Sequence, residues 1–257
     1  MLKIATYNVN GVNGRLPRLL EWLAQTSPDV VCVQEIKTDD AKFPAAPIEG
    51  AGYGAIWHGQ RSHHGVAILA KGEKPREIRR GLPGDANDGQ TRYLEAEIKG
   101  LVVASVYLPN GNPQPGPKFD YKLAWFERLI QHAQSLSRSA RAAVLAGDFN
   151  VVPTDADIYN PTLWRWDAVM RPESRAAYRR LLDQPWIDAT RHLHPHDVVY
   201  TYWDYGSAFR RNAGFRMDFL LLNSAAARRL KETDVDRKYR GVEKASDHAP
   251  VWATLAD

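Results

Sequence analysis

The chain has a single cysteine and three methionines among its 257 residues. With one cysteine no intrachain disulfide can form, and a thiolate-rich metal centre is excluded. No apolar run approaches the roughly 18 residues needed to cross a bilayer. Met1-Leu2-Lys3-Ile4 passes straight into strand-like sequence without a basic and apolar leader, so the expected compartment is the cytoplasm. Nor does charge of one sign dominate. The 34 basic and 30 acidic residues leave a net charge of +4, which permits a polyanionic partner without demanding one. What is present, 44% hydrophobic and 25% charged residues, is the composition of an ordinary globular protein with a sizeable core. Cys32 lies inside Val30-Val31-Cys32-Val33 and reads as a small buried hydrophobe.

No composition break, flexible linker or fixed-period repeat divides the sequence, which predicts one α/β domain over 1–257. Lys3 to Tyr7 reads as a strand. Leu16, Leu19, Leu20 and Leu23 recur at helical spacing, and Asp29 to Val33 is a second buried strand. Gly52 to Trp57 and Gly65 to Ala70 predict short strands, with His63-His64 a solvated turn between them. Arg76 to Asp88 reads as a charged loop. Leu94 to Ile98 and Leu101 to Tyr107 form a hairpin, and Pro109 to Pro117 a Gly/Pro/Asn loop. Helices are predicted from Phe119 to Leu136, from about Glu173 to Leu182, and from Ala225 to Leu230. Val151 to Arg171 reads as loop, Met217 to Leu222 as a buried strand and Val251 to Leu255 as the last strand.

The chain is organised around Val144-Leu145-Ala146-Gly147-Asp148-Phe149-Asn150. A small-apolar run marks a strand buried on both faces, and it delivers Asp148 and Asn150 to one side while Phe149 turns to the core. Two readings compete: chemistry at a strand's carboxyl end, or an Asx turn satisfying its own backbone. Asn8, Glu35, Tyr107, Asp218 and Asp247-His248 also stand at strand ends. Carboxylates are costly to bury unless paired or bound to a metal. Glu35 and Asp247 near one site would make the hard-oxygen site that Mg²⁺ prefers. Asp247 is a poor orienter for His248, because neighbours diverge on an extended chain; Asp218 is the better candidate.

The ordered set Thr6–Gly11, Val33–Lys37, His64–Leu69, Arg79–Asp85, Val106–Gly111, Ala146–Asn150 with Pro153–Asp155, Arg216–Asp218 and Ser246–Thr254 resembles the exonuclease III and class II AP endonuclease family of the exonuclease/endonuclease/phosphatase superfamily. The resemblance implies a DNase I-like, four-layered α/β sandwich of two packed mixed sheets flanked by helices. It implies a divalent cation, Mg²⁺ with Mn²⁺ as the alternative, held mainly by Glu35 with Asn8 and Asp247 close by. It also gives Asp148 the attacking water or the leaving oxygen, Asn150 a hydrogen bond to that carboxylate, His248 with Asp218 a phosphate contact, and Tyr107 a phenol beside the scissile phosphate.

The implied substrate is double-stranded DNA with abasic or 3′-damaged sites, cut 5′ to the lesion or trimmed at the 3′ end by a monomer that needs no membrane. Lys37, Arg92, Lys118, Arg210, Arg211 and Arg216 are candidate phosphate contacts, with Arg92 and Lys118 in segments that resemble DNA-proximal ones. Tyr202, Trp203 and Phe215 look like the walls of an abasic-sugar pocket. Two rivals stand beside this reading. A lipid or inositol phosphoesterase would share the metal residues but differ around the substrate, and a silent DNA-binding module would lack one of Glu35, Asp148 or His248.

Overall fold

A computed structural model describes residues 1–257. Twelve strands carry the architecture: Leu2–Asn8 (β1), Val30–Gln34 (β2), Tyr53–His58 (β3), Val66–Lys71 (β4), Arg76–Arg80 (β5), Tyr93–Ile98 (β6), Leu101–Tyr107 (β7), Ala143–Asp148 (β8), Trp186–Asp188 (β9), Asp218–Asn223 (β10), Leu230–Val235 (β11) and Val251–Leu255 (β12). The helices are Val12–Thr26 (α1), Ala45–Gly50 (α2), Pro117–Ser137 (α3), Pro161–Trp164 (α4), Pro172–Leu182 (α5), Ala189–Leu193 (α6) and Ser224–Ala227 (α7).

The strands form two six-stranded sheets, ordered β11-β12-β1-β2-β4-β3 and β5-β6-β7-β8-β10-β9. Each has one parallel pair, β1 with β2 and β7 with β8, among antiparallel neighbours. The sheets pack face to face through a core that includes Ile4, Cys32, Ile68, Val103, Val144, Leu220 and Val251. The outer face of the first sheet is covered by Trp22 and Leu23 of α1 and Ile48 of α2. The outer face of the second is covered by Trp125, Phe126 and Leu129 of α3 and Leu181 of α5. The four layers follow from strands buried on both faces, which need apolar cover on each side.

Three strands were not legible in the pattern: β9, only three residues long and too short to show an alternation, and two polar ones. Arg76–Arg80, expected as loop, is an exposed edge strand paired with β6. The helix expected to reach Leu230 stops at Ala227, and β11 begins at Leu230. Both are polar edge strands, ordered by backbone pairing to one neighbour rather than by burial, so they lack the apolar alternation that marks an inner strand.

The topology places the site. In the two parallel pairs Asn8 lies opposite Gln34 and Tyr107 opposite Asp148, while antiparallel β10 begins with Asp218 opposite Asp148. Strand ends from both sheets therefore reach one edge of the sandwich. Just beneath it, buried Gln34 accepts from Thr6 Oγ1 (3.0 Å) and donates to Ser105 Oγ (3.0 Å), joining the two sheets by a satisfied polar bridge. Gly147 is required here: a Cβ would sit 1.8 Å from the Val106 carbonyl oxygen of the neighbouring strand.

Candidate active site

At that edge a cavity of about 300 Å³ is bounded by Glu35, Tyr107, Asp148, Asn150, Asp247 and His248 on its polar side. Trp164, Val169, Tyr202, Phe215 and Met217 form its apolar side. Several of the residues that shape it have left-handed backbones: Asn10 (φ 47°), Glu35 (52°), Lys37 (50°) and Asn150 (44°). Non-glycine residues rarely adopt this conformation, and such strain concentrates where packing over-determines the chain. Glu35 and Asn150 line the cavity, while Asn10 and Lys37 hold its carboxylates, Asn10 Nδ2 donating to Asp247 (3.0 Å) and Lys37 Nζ pairing with Glu35 (2.6 Å).

Asp148 is buried. Its Oδ1 accepts from the Asn150 backbone N–H (2.9 Å), and its Oδ2 accepts from Asn8 Nδ2 (3.0 Å) and Asn150 Nδ2 (3.4 Å). Burial, with Asp218 and Glu35 nearby, pushes its carboxyl up to about 7 against the opposing pull of His248. His248 Nδ1 lies 2.9 Å from Asp218 Oδ2, and its Nε2 lies 3.8 Å from Asp148 Oδ2. Burial alone would lower the imidazole's value, but Asp218, Asp148 and Asp247 outweigh it and raise it to about 10. Asp218 is itself held by the Thr201 hydroxyl at 2.6 Å.

Glu35 is flanked by Asn8 Nδ2 (2.9 Å) and Lys37 Nζ (2.6 Å), and the half-buried Tyr107 phenol shares the cavity with it. Burial pushes its carboxyl up, but Lys37 and Asn8 overcome that and hold it below the ordinary value. Ligand atoms of Glu35, Asp148 and His248 lie within 4.8 Å of one another. The two carboxylates of this set fit a hard divalent cation, while His248, held charged by Asp218, stands beside them as a donor rather than a ligand. The ammonium already seated on Glu35 marks a position that accepts positive charge.

Four expected residues are placed differently from their anticipated roles. Asp247 lines the cavity, but its Oδ1 accepts from Asn10 Nδ2 (3.0 Å) and Ser246 Oγ (3.3 Å), and it stands outside the converging group. Asn8 turns its amide N–H₂, not its carbonyl, to the carboxylates; its Oδ1 accepts from the Asn10 backbone (3.0 Å). Trp203 does not wall the pocket. It is 1% exposed, packs on Ala208, Ala213 and Ala249, and donates from Nε1 to Asn212 (3.1 Å). Tyr202 faces the cavity with its ring 4.9 Å from His248, so alternation along an extended segment sends its neighbour Trp203 the other way. Arg216 is buried against Asp157 and Asp188 (2.6 Å each) and is inaccessible to DNA.

Phe215 lines the cavity, and Trp164 packs on it with ring centroids 4.8 Å apart, standing in the wall where Trp203 was expected. Arg92 lies 4.7 Å over the Tyr107 ring and donates to the Tyr107 carbonyl (3.3 Å), so it supports that phenol. Arg92 and Lys118 share a depression of about 490 Å³ with His63 and His64, next to Asn110.

Lys122 was not anticipated. Its fully buried ammonium donates to the carbonyls of Asn110 (2.9 Å), Asn150 (2.6 Å) and Ala168 (3.3 Å), tying three loops of the site together. Gly111 (φ 91°) makes room for it, since a Cβ there would meet Lys122 Cδ at 2.6 Å. The signal was present: a lone lysine in the apolar stripe Phe119, Lys122, Phe126, Leu129 of α3.

Sheet order, cavity and convergent carboxylate–imidazole group together define a phosphoesterase-like sandwich. The chain belongs to the Endonuclease/Exonuclease/phosphatase family, whose profile matches residues 5–248. It is 36% identical to the exodeoxyribonuclease III of Haemophilus influenzae over 98% of this chain and 99% of that one. Among solved structures it is similar to a 3′ phosphatase, NExo, from Neisseria bound to a product DNA hairpin, with TM-score 0.96, 39% identity and full coverage of both chains. An AP endonuclease from Archaeoglobus fulgidus superposes with TM-score 0.95 at 35% identity, covering 99% of each chain. None of the helices is long and apolar enough to cross a membrane.

Proposed function

We propose that this chain is a Mg²⁺-dependent DNA repair phosphodiesterase that cleaves 5′ to abasic sites and removes 3′ nucleotides or 3′ blocking groups from duplex DNA. The observation that carries the reading is the convergence of Glu35, Asp148 and His248 in one cavity. The relatives named for exodeoxyribonuclease, AP endonuclease and 3′ phosphatase activity support the choice of DNA as substrate.

Glu35 is the main holder of the cation, with Asp148 at ligand range and Asn8 and Asp247 as the surrounding polar frame. When bound, the cation neutralises charge developing on the phosphate and helps the departing oxygen. The residues themselves divide the remaining work. Asp148, kept weakly basic by burial and aligned by Asn150 and Asn8, takes the proton of the attacking water. His248, charged and fixed through Nδ1 by Asp218, directs Nε2–H toward the phosphate oxygens and stabilises the transition state. Tyr107 offers a hydroxyl beside Glu35, and Lys118, in the neighbouring depression, meets the backbone. The apolar wall of Trp164, Tyr202 and Phe215 accepts a sugar that carries no base and excludes one that does. The whole chain, 1–257, acts as a single monomeric unit in the cytoplasm.

The experiment is product mapping on an end-labelled duplex containing one abasic analogue, and on a duplex with a 3′-phosphate end. Expected are Mg²⁺-dependent cuts 5′ to the abasic analogue leaving a 3′-hydroxyl, and release of inorganic phosphate. Products no greater than in a chelated control on both duplexes would refute the assignment.

A further inference from the structure

The segment that supplies Trp164 to the cavity wall also carries two large apolar side chains into solvent. Leu163 and Trp166 are each 65% exposed, which is unusual for side chains of this size so close to a catalytic cavity. The backbone beneath them is not loose. Asn112 Nδ2 donates to both oxygens of Asp167 (3.0 and 3.1 Å), and the Ala168 N–H donates to Asn112 Oδ1 (3.0 Å). Gln114 donates to the Trp166 carbonyl, and the buried Lys122 ammonium grips Ala168 from below. The Trp166 indole therefore stands on a rigid rim, two residues along the chain from the wall residue Trp164. Guanidinium groups of Arg165 and Arg171 lie 5.5 and 5.7 Å from its ring centroid.

We propose that Trp166, with Leu163, is a stacking platform for a nucleobase of the substrate flanking the scissile phosphate. Every base presents a π-face, so such a platform binds without reading sequence, and arginines beside it serve both the ring and the adjoining phosphates. Continuity with the catalytic cavity identifies the occupant as DNA already held there, and the two arginines match its charge. Because the rim is held rigid before DNA arrives, little ordering is needed on binding. The platform would select for lesions that keep a base next to the gap. The proposal rests on the DNA reading above, and wild-type cleavage of the same duplex reports on that reading separately.

The experiment compares wild type, Trp166→Ala and Trp166→Phe on duplexes with one abasic analogue, either flanked by normal bases or flanked on both sides by further abasic analogues. On the normally flanked duplex Trp166→Ala is expected to raise KM roughly ten- to a hundredfold with kcat held within about threefold, and Trp166→Phe to recover most of the loss. On the base-free flanks the variants and wild type should agree within about twofold in KM. In parallel, 2-aminopurine placed beside the lesion should be quenched on binding by wild type and not by Trp166→Ala. An unchanged KM for Trp166→Ala, or an equal loss on both duplexes, would overturn the platform.

Discussion

Two buried clusters of carboxylates and cations lie on either side of the start of β10, and they behave in opposite ways. In one, Arg216 donates to Asp157 and Asp188 at 2.6 Å each, and Arg191 reaches Asp157 at 2.8 Å. Burial pushes the Asp157 carboxyl up, but Arg216, Thr154 and Arg191 overcome it and leave it below its ordinary value. In the other, two residues along the chain, Asp218 holds His248, and Asp148 has only that imidazole at 3.8 Å as a cation. Asp148 is pushed up to about 7. The residue types are similar; the difference is how completely each charge is matched. A carboxylate saturated by guanidinium groups stabilises the fold and is inert. One left under-matched beside a cavity stays basic, and is available for chemistry.

The comparison is tested most strongly at its two aspartates. Asp148→Asn should lower kcat on abasic duplex by about 10³–10⁴-fold while DNA affinity in chelator is retained. Its midpoint of urea unfolding should stay the same or rise, because an under-matched buried charge has been removed. Asp157→Asn should do the reverse, costing about 3 kcal/mol of stability in urea with activity per folded molecule nearly unchanged. The sign with pH follows from its depressed value. The Asp157 contribution is present above the unfolded carboxyl value near 3.9 and is lost as pH falls through the lower folded one. Acid unfolding of Asp157→Asn should therefore be shallower than wild type. If both variants lose stability alike, the distinction between matched and under-matched clusters fails.

Smaller effects sharpen the picture. Lys122→Met, which frees the carbonyls of Asn110, Asn150 and Ala168, should lower kcat about tenfold more than it raises KM, in a protein less stable but folded at 20 °C. Steady-state kinetics below the melting range decide it, and a pure KM effect would make the lysine a DNA-binding group instead. Smallest is the pH response of kcat/KM, which should rise as Asp148 deprotonates and fall as His248 loses its proton toward about 10. Raising the Mg²⁺ concentration should move the acid limb to lower pH, because a cation beside Glu35 favours the Asp148 carboxylate. An acid limb that ignores the cation would separate Asp148 from the metal group.

Much of the fold could be read in advance. The inner strands ending at Asn8, Tyr107 and Asp148, and the helix over Phe119–Leu136, announce themselves by continuous apolar runs or helical spacing. Edge strands β5 and β11 did not, since their order comes from a neighbour's backbone. The choice of Asp218 over Asp247 as the partner of His248 was also legible, because side-chain alternation alone separates Asp247 from its neighbour. The same alternation at Tyr202-Trp203 turns one of the two rings toward His248 and the other into the core.

Sequence by itself determined where the inner strands lie along the chain, the polar residues at their carboxyl ends and the family those residues resemble. These are local signals, carried by periods of two and 3.6 residues and by where an apolar run stops. Tertiary structure alone decided which of two tryptophans walls the cavity, that Arg216 is an internal counter-ion rather than a DNA contact, and that Lys122 ties three loops together. Each of those outcomes depends on what a side chain meets across another element, at separations from 12 residues for Lys122 and Asn110 to 59 for Arg216 and Asp157. No short-range pattern encodes such a meeting, because burial and charge matching are properties of the assembled layers.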